Sequence, residues 1–167
     1  MGRIIALTNS KGGVGKSTVA VHLAAWCAEQ GRHTALVDAD AQGASSLWLH
    51  EAAPDIALFR LQTPDEILDQ VPQLAAQFEV LVIDGPAGLS EVTRAVLLVA
   101  HLALLPCGPS VLDLRAVKEA IRVVGQGTLV WRLGPRGLAA TEELSRLFEE
   151  LSLDEHETHD EPSVANE

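Results

Sequence analysis

A glycine-rich run near the N-terminus contains the residue types that bind phosphate. Residues 10–18 read Ser-Lys-Gly-Gly-Val-Gly-Lys-Ser-Thr. Glycines let backbone N–H groups converge on phosphate oxygens, Lys16 adds a point charge for the β- and γ-phosphates, and the Ser17 hydroxyl suits a magnesium ion. We therefore predict ATP and Mg²⁺ as ligands. The predicted nucleotide-binding residues are Gly12, Gly13, Val14, Gly15, Lys16, Ser17 and Thr18.

This run departs from two standard patterns. The usual phosphate loop has a glycine seven positions before its serine, where this chain has Ser10. A dinucleotide-binding turn needs a third glycine at the position of Thr18, so that interpretation is rejected. A glycine-rich turn that binds no ligand is the remaining alternative, and the neighbouring motifs argue against it.

Carboxylates close two further apolar runs. Asp84 ends the segment VLVID, and a carboxylate at a strand end suits a magnesium ion held from the other side by Ser17. Asp38 and Asp40 close and follow the segment TALVD. Alternate residues of an extended segment share a face, so both are expected to point toward the phosphates, one supporting the metal and the other orienting water. The alternative is a solvated turn before the next helix. The predicted metal ligands are Ser17, Asp38 and Asp84.

Short apolar runs alternate with segments of helical periodicity. The predicted strands cover residues 3–8, 34–38, 80–84 and 102–105, with a brief strand at 128–133. The predicted helices cover residues 16–30, 64–77, 90–100, 111–124 and 140–151. Gly31 stands where a glycine ends the first helix. This alternation predicts an α/β domain with a mostly parallel sheet flanked by helices, and the phosphate loop makes it a predicted P-loop NTPase. In such sheets ligands bind beyond the carboxyl ends of the strands, where every motif above lies.

The end of the chain differs in composition from its body. The formal net charge is −11, and residues 142–167 supply −9 of it through ten acidic residues and one arginine. Residues 152–167 combine low hydrophobicity with high charge, which predicts an acidic disordered tail. We therefore divide the chain into an ATPase domain at 1–151 and a tail at 152–167.

Composition also predicts where the chain works. It contains no run of 18 apolar residues and no charged-then-apolar leader, so we expect a cytoplasmic protein without a membrane partner. Cys27 and Cys107 form neither a disulfide framework nor a metal cluster, and both are predicted to be buried, reduced thiols.

Four motifs in order and spacing resemble one family. The runs NSKGGVGKST, VDADAQG, VIDGPAG and LLPCGPSVLDLRA are similar to the partition (ParA) branch of the ParA/MinD deviant Walker-A ATPases, over residues 3–124. The resemblance implies that Lys11 is the signature lysine, which reaches the ATP of a second subunit. It also implies that Asp40 positions the attacking water and that Gly12 lets two subunits approach. The expected catalytic residues are then Lys11, Lys16 and Asp40.

The same resemblance implies partners and a biological role. Members bind non-specific DNA as ATP-dependent homodimers, and an activator protein of the partition type stimulates a slow ATPase. The expected role is plasmid or chromosome partition or cargo positioning, in the cytoplasm or on the nucleoid. The chain resembles the small forms that lack an N-terminal helix-turn-helix.

From residue 125 onward the chain departs from the family pattern, so the resemblance implies a P-loop NTPase fold with an abbreviated C-terminal part. It has no asparagine between there and Asn166, so the segment expected to contact adenine is missing. A second hypothesis is therefore a nucleotide-binding interaction protein with little or no hydrolysis. A metal-cluster carrier would need a different arrangement of cysteines, a kinase or synthetase would need a small-molecule pocket, and a MinD-like membrane anchor would need a basic C-terminal helix. Five basic residues either contact DNA or form a solvated face, and this stays open: Arg115, Lys118, Arg122, Arg132 and Arg136.

Overall fold

The computed structural model describes residues 1–9, 12–107 and 128–132, with only the backbone described for Cys107 and for 128–132. The elements in chain order are β1 (Arg3–Asn9), α1 (Lys16–Glu29), β2 (Thr34–Asp38), α2 (Ala44–Ala52), β3 (Ala57–Arg60), α3 (Pro64–Ala75), β4 (Val80–Ala87), α4 (Glu91–Val99), β5 (Leu102–Cys107) and β6 (Thr128–Arg132). The helices predicted at 111–124 and 140–151, the tail at 152–167 and the signature residue Lys11 lie outside the described residues.

The strands form one six-stranded sheet in the order β3-β2-β4-β1-β5-β6. Every pairing between neighbouring strands is parallel. Parallel strands covered on both faces read as continuous apolar runs, which is why β1, β2, β4 and β5 are visible in the sequence. The predicted α/β class with a parallel sheet is confirmed.

Side chains of alternate strand residues fill two separate cores. On one face, Ile5, Leu36 and Val82 pack with buried residues of α1 and with Leu49 of α2. On the opposite face, the neighbouring strand residues pack with α3 and α4. The period of two along a strand assigns each apolar residue to one core or the other. Three layers result, with α1 and α2 on one side of the sheet and α3 and α4 on the other.

The helix ends follow local sequence rules. Gly31 has a φ of 78° just beyond α1, a conformation that glycine adopts without strain, so the predicted stop is confirmed. At the start of α3, the Thr63 hydroxyl accepts a hydrogen bond from the Glu66 N–H at 3.3 Å, and a Glu66 carboxylate oxygen accepts one from the Thr63 N–H at 3.0 Å. This reciprocal capping box fixes where α3 begins.

Two elements were absent from the sequence prediction, and three strands, β1, β4 and β5, extend beyond their predicted ends. The helix α2 and the edge strand β3 occupy residues 44–52 and 57–60. The strand β4 continues past Asp84 to Ala87, where a register irregularity accompanies its pairing with β1. A Cβ added at Gly85 would lie 2.9 Å from the Leu7 carbonyl oxygen, so glycine is what lets β4 continue this close to β1. Within the described part of the chain, no helix combines the length and apolarity needed to cross a membrane.

Candidate nucleotide-binding site

The loop after β1 and the segment after β2 face a common cavity of about 430 Å³ at the carboxyl ends of the strands. Its described lining is Gly12, Gly13, Gly15, Lys16, Ser17, Thr18, Asp40, Gln42, Ala44 and Ala87. The structure thus brings Asp40 together with all the predicted nucleotide-binding residues except Val14. The Val14 side chain is buried beneath the loop.

Glycines give the loop its shape and expose the start of α1. Gly13 and Gly15 have φ angles of 71° and 88°, in the left-handed region that disfavours other residues. Gly15 caps α1 without a side chain, and the first N–H to bond back is that of Val19, to the Gly15 carbonyl oxygen at 2.9 Å. The N–H groups of the first turn therefore have no acceptor within the helix. Together with the helix dipole, they form a site for an anion.

Lys16 is buried at this helix start, with only 6% of its surface exposed. Burial lowers the pKa of its ammonium group, while the nearby carboxylates of Asp84 and Asp40 raise it. A buried lysine between two carboxylates and a row of N–H groups is held where a phosphate chain would meet its charge.

Asp84 is the most unusual polar group at the site. It is fully buried, and neither of its carboxylate oxygens has a hydrogen-bond partner of normal geometry among the described residues. The pKa of Asp84 is raised to about 6, chiefly because the group is buried. The neighbouring hydroxyls of Ser17 and Ser45 lower this pKa, as does the charge of Lys16, and the charge of Asp38 raises it. A buried carboxylate with two unused oxygens points to a ligand that completes the site.

The residues present fit a magnesium ion that arrives with a nucleotide. Magnesium prefers oxygen donors, and it is usually bound by one or two carboxylates together with phosphates and water. Asp84 and Ser17 supply such oxygens, and both lie at the loop. Consistent with this mode, the described residues contain no group of three or more His, Cys, Asp or Glu side chains able to form an all-protein metal cage. Ser17 and Asp84 would hold the ion.

Asp38 is fully buried too, yet both of its oxygens accept hydrogen bonds from its own chain. One accepts from the Asp40 N–H at 3.1 Å. The other accepts from the Ser46 N–H at 3.0 Å and from the Ser46 hydroxyl. Asp38 therefore fastens the start of α2 to the end of β2. Its predicted role as a metal ligand stays a prediction.

Asp40 is half-buried and lines the cavity. One of its carboxylate oxygens accepts a hydrogen bond from the Gln42 N–H at 3.0 Å, and its carbonyl oxygen accepts one from the Gly43 N–H at 3.0 Å. These bonds hold the segment in a tight turn, so the predicted alternative of a turn before the next helix also describes its backbone. The carboxylate nevertheless faces the cavity, as a water-orienting group must.

Ser45 was not identified from the sequence. Its side chain is fully buried, its hydroxyl has no partner among the described residues, and it lies beside Asp84. Only the prediction of a helix at residues 44–52 would have indicated that Ser45 points inward. Cys27 is a buried free thiol, as predicted, and burial raises its pKa to about 12.

Comparison with known proteins agrees with this geometry. A family model described as the CobQ/CobB/MinD/ParA nucleotide binding domain matches residues 5–155. The chain belongs to this family. Its P-loop, parallel sheet and strand-end carboxylates are thus the parts of a ParA/MinD-type nucleotide-binding domain.

Individual relatives span several named roles. The maintenance of carboxysome distribution protein A of Gloeobacter kilaueensis is 35% identical, over 90% of this chain and 73% of that protein. The sporulation initiation inhibitor protein Soj of Bacillus subtilis is 35% identical, over 66% of this chain and 51% of Soj. This chain thus spans only about half the length of some family members.

A solved structure supports the fold. Cobyrinic acid a,c-diamide synthase from Mycobacterium smegmatis, determined with bound ADP and magnesium, superposes with a TM-score of 0.69 over 90% of this chain and 82% of that one, at 21% identity.

Proposed function

We propose that this chain is an ATP-binding and ATP-hydrolysing ParA-type protein that forms an ATP-dependent homodimer and positions a cargo such as DNA or a protein compartment. The observation that carries the proposal is the cavity lined by the loop and Lys16, with the buried carboxylate of Asp84 next to Lys16 and Ser17 and without a hydrogen-bond partner of normal geometry among the described residues. The role in carboxysome distribution that names the Gloeobacter kilaueensis relative supports a positioning role.

Binding of the triphosphate rests on the loop and the start of α1. N–H groups of the first turn would donate hydrogen bonds to the phosphate oxygens, and the buried ammonium of Lys16 adds a positive charge that water screens little. A magnesium ion bound here would offset the remaining phosphate charge. Ser17 and Asp84 would hold that ion, and Thr18 borders the cavity beside them.

Hydrolysis then requires an oriented water more than covalent chemistry. Phosphoryl transfer proceeds through a charged transition state that positioned groups stabilise, and Lys16 and Lys11 are the cations assigned to that task. Asp40 is assigned to align the attacking water, because its carboxylate lies on the wall of the cavity. The turn that fixes its backbone keeps that carboxylate in place before any ligand binds.

Dimerisation would complete the site. Gly12 is exposed at the mouth of the cavity, where a Cβ would meet only the Ala87 side chain at 3.8 Å, so a second subunit can approach closely. Lys11 adjoins it in the sequence and is the residue assigned to reach the second nucleotide. An activator protein and non-specific DNA are the proposed further partners, and the resemblance to the partition branch of the family supports both.

The test measures nucleotide binding and turnover together. We expect native protein to bind ATP with magnesium and to release phosphate slowly. Lys16→Ala should lose binding and Asp40→Ala should retain binding and lose turnover. Arg94→Ala is the matched control, because Arg94 lies on α4 in an exposed ion pair with Glu91, away from the cavity. Binding without turnover in the native protein would favour the interaction protein without hydrolysis, and absence of binding would refute the proposal.

A further inference from the structure

The start of α2 is fixed to the sheet more firmly than an ordinary surface helix. Gly43 precedes the helix with a φ of 67°. The Asp38 carboxylate accepts hydrogen bonds from both the backbone N–H and the hydroxyl of Ser46. Farther along the same helix, Leu49 is buried in the core that α2 shares with α1. Because both ends are fixed, the residues between them have a defined orientation.

That orientation turns Ser45 inward. Its side chain is 0% exposed, whereas Leu47 and Trp48 on the outer face of the same helix are 73% and 43% exposed. The Ser45 hydroxyl has no hydrogen-bond partner of normal geometry among the described residues. A buried hydroxyl without a partner is uncommon in folded proteins, and here an alanine would fill the same position without leaving a polar group unsatisfied.

The groups around Ser45 offer oxygen atoms, the donors that a magnesium site uses. The Asp84 carboxylate lies next to Ser45, with neither oxygen in a hydrogen bond of normal geometry among the described residues, and the Ser17 hydroxyl is a second neighbour of that carboxylate. Ser17 lines the nucleotide cavity, and Asp84 and Ser45 are buried next to it. Two hydroxyls and one carboxylate match the oxygen donors that a small divalent cation requires, together with bound waters.

We propose that Ser45 is a further residue of the cation site, contributing its hydroxyl, directly or through a bound water, to the oxygen set of Ser17 and Asp84. The inference rests on the proposed function, because the cation arrives with the nucleotide. It assigns a role in magnesium affinity to a residue of α2. The other residues of the proposed site come from the phosphate loop and from the ends of strands.

The test is a magnesium titration of binding by a fluorescent ADP analogue, which needs no turnover. In native protein, magnesium should tighten nucleotide binding with a defined midpoint concentration. In Ser45→Ala we expect that midpoint to rise roughly tenfold, in the range seen when groups supporting a metal site are removed. The affinity measured in EDTA should stay unchanged. Ser90→Ala is the matched control, because Ser90 also stands at the start of a helix, α4, on the opposite face of the sheet.

Two further results would separate the possible roles of Ser45. Ser45→Cys keeps the side-chain shape at a slightly larger volume and replaces the oxygen by sulfur, a poor magnesium ligand. It should therefore raise the midpoint even if the alanine variant fails to fold. An unchanged midpoint in a folded variant, or an equal loss of affinity with and without magnesium, would show that Ser45 serves only packing and would overturn the inference. Native protein that binds no nucleotide would instead refute the proposed function, and the inference with it.

Discussion

Asp38 and Asp84 stand side by side where β2 pairs with β4, and both are fully buried. From the sequence they carry the same signal, a carboxylate at the end of an apolar run. In the structure the oxygens of Asp38 accept hydrogen bonds from the Asp40 N–H and from Ser46, while those of Asp84 have no partner of normal geometry within the described part of the chain. A satisfied buried carboxylate stabilises local structure, and an unsatisfied one destabilises the protein until a ligand arrives.

Asp84 therefore gives a prediction in which stability and function move in opposite directions. Its pKa of about 6 in the folded protein exceeds the ordinary value of 3.8, so folding favours the protonated form. The stability that this group contributes is present at low pH and is lost as pH rises through 6. Asp84→Asn should raise the free energy of unfolding of the nucleotide-free protein at pH 8 by on the order of 1–3 kcal/mol. It should also remove the effect of magnesium on nucleotide binding.

Denaturant unfolding of native protein and variant at pH 4 and pH 8, without nucleotide, measures this difference. The gain in stability should be large at pH 8 and small at pH 4, where the native carboxyl is protonated. A variant that is less stable than native protein at pH 8 would show that the Asp84 carboxylate is satisfied in the folded state.

At the scale of elements, the capping box of α3 offers a change that affects folding alone. The Thr63 hydroxyl and the Glu66 carboxylate bond reciprocally to N–H groups at the helix start, far along the chain from the phosphate loop. Thr63→Ala should lower the free energy of unfolding by about 1 kcal/mol, the usual effect of losing such a cap. Urea unfolding measures the change. Nucleotide affinity should match native protein, and a clear loss of affinity would mean that α3 is coupled to the site.

Gly85 gives the opposite case, an element contact that the site depends on. A Cβ there would lie 2.9 Å from the Leu7 carbonyl oxygen, so Gly85→Ala must push β4 away from β1, which we expect to destabilise the fold by roughly 1–3 kcal/mol. Because Asp84 precedes it, magnesium-dependent nucleotide binding should weaken as well.

Gly31→Ala is the control for this change. Its φ of 78° makes alanine strained there, but no atom lies within 4 Å of the added Cβ. It should therefore lower stability in a thermal melt while nucleotide binding is retained. Equal effects of the two variants on binding would contradict the assigned importance of the contact between β4 and β1.

The sequence predicted the central strands and the phosphate loop because both have strong local signals. Strands such as β2 are buried along their whole length, and a glycine-rich loop between a strand and a helix has few other meanings. The helix α2 and the strand β3 lacked such signals. β3 has four residues in which half-buried and exposed positions alternate at the sheet edge, and α2 exposes Leu47 and Trp48, which obscures its apolar face.

The candidate site was predicted in part for the same reason. Lys16 belongs to the phosphate loop, and Asp84 ends a clear apolar strand. A parallel sheet brings the ends of its strands to one edge, so these residues are expected to meet there. Ser45 joins them only through the orientation of α2. That orientation depends on the hydrogen bond between Asp38 and Ser46, which are eight residues apart in the sequence. Likewise, the division of labour between Asp38 and Asp84 depends on which N–H groups reach each carboxylate, and no local pattern encodes that.

At the scale of the whole molecule, the site lies between two adjacent strands whose following helices cover opposite faces of the sheet. β1 is followed by α1 on one face, whereas its neighbour β4 is followed by α4 on the other. Helices that leave adjacent strands on opposite faces open a crevice at the carboxyl edge, and nucleotides bind in such crevices. In the proposed function this crevice receives the phosphates, and Gly12 lies exposed beside it. A second copy of the chain is the proposed cover.

The most direct test of that account is the mass of the purified protein in solution, measured by light scattering with ADP and with ATP and magnesium, for native protein, Lys11→Ala and the control Arg94→Ala. The account predicts one chain of 17.8 kDa with ADP and twice that mass with ATP and magnesium, for native protein and the control only. Lys11→Ala should stay a single chain in both. A native protein that remains a single chain with saturating ATP and magnesium would contradict the proposed nucleotide-dependent dimer.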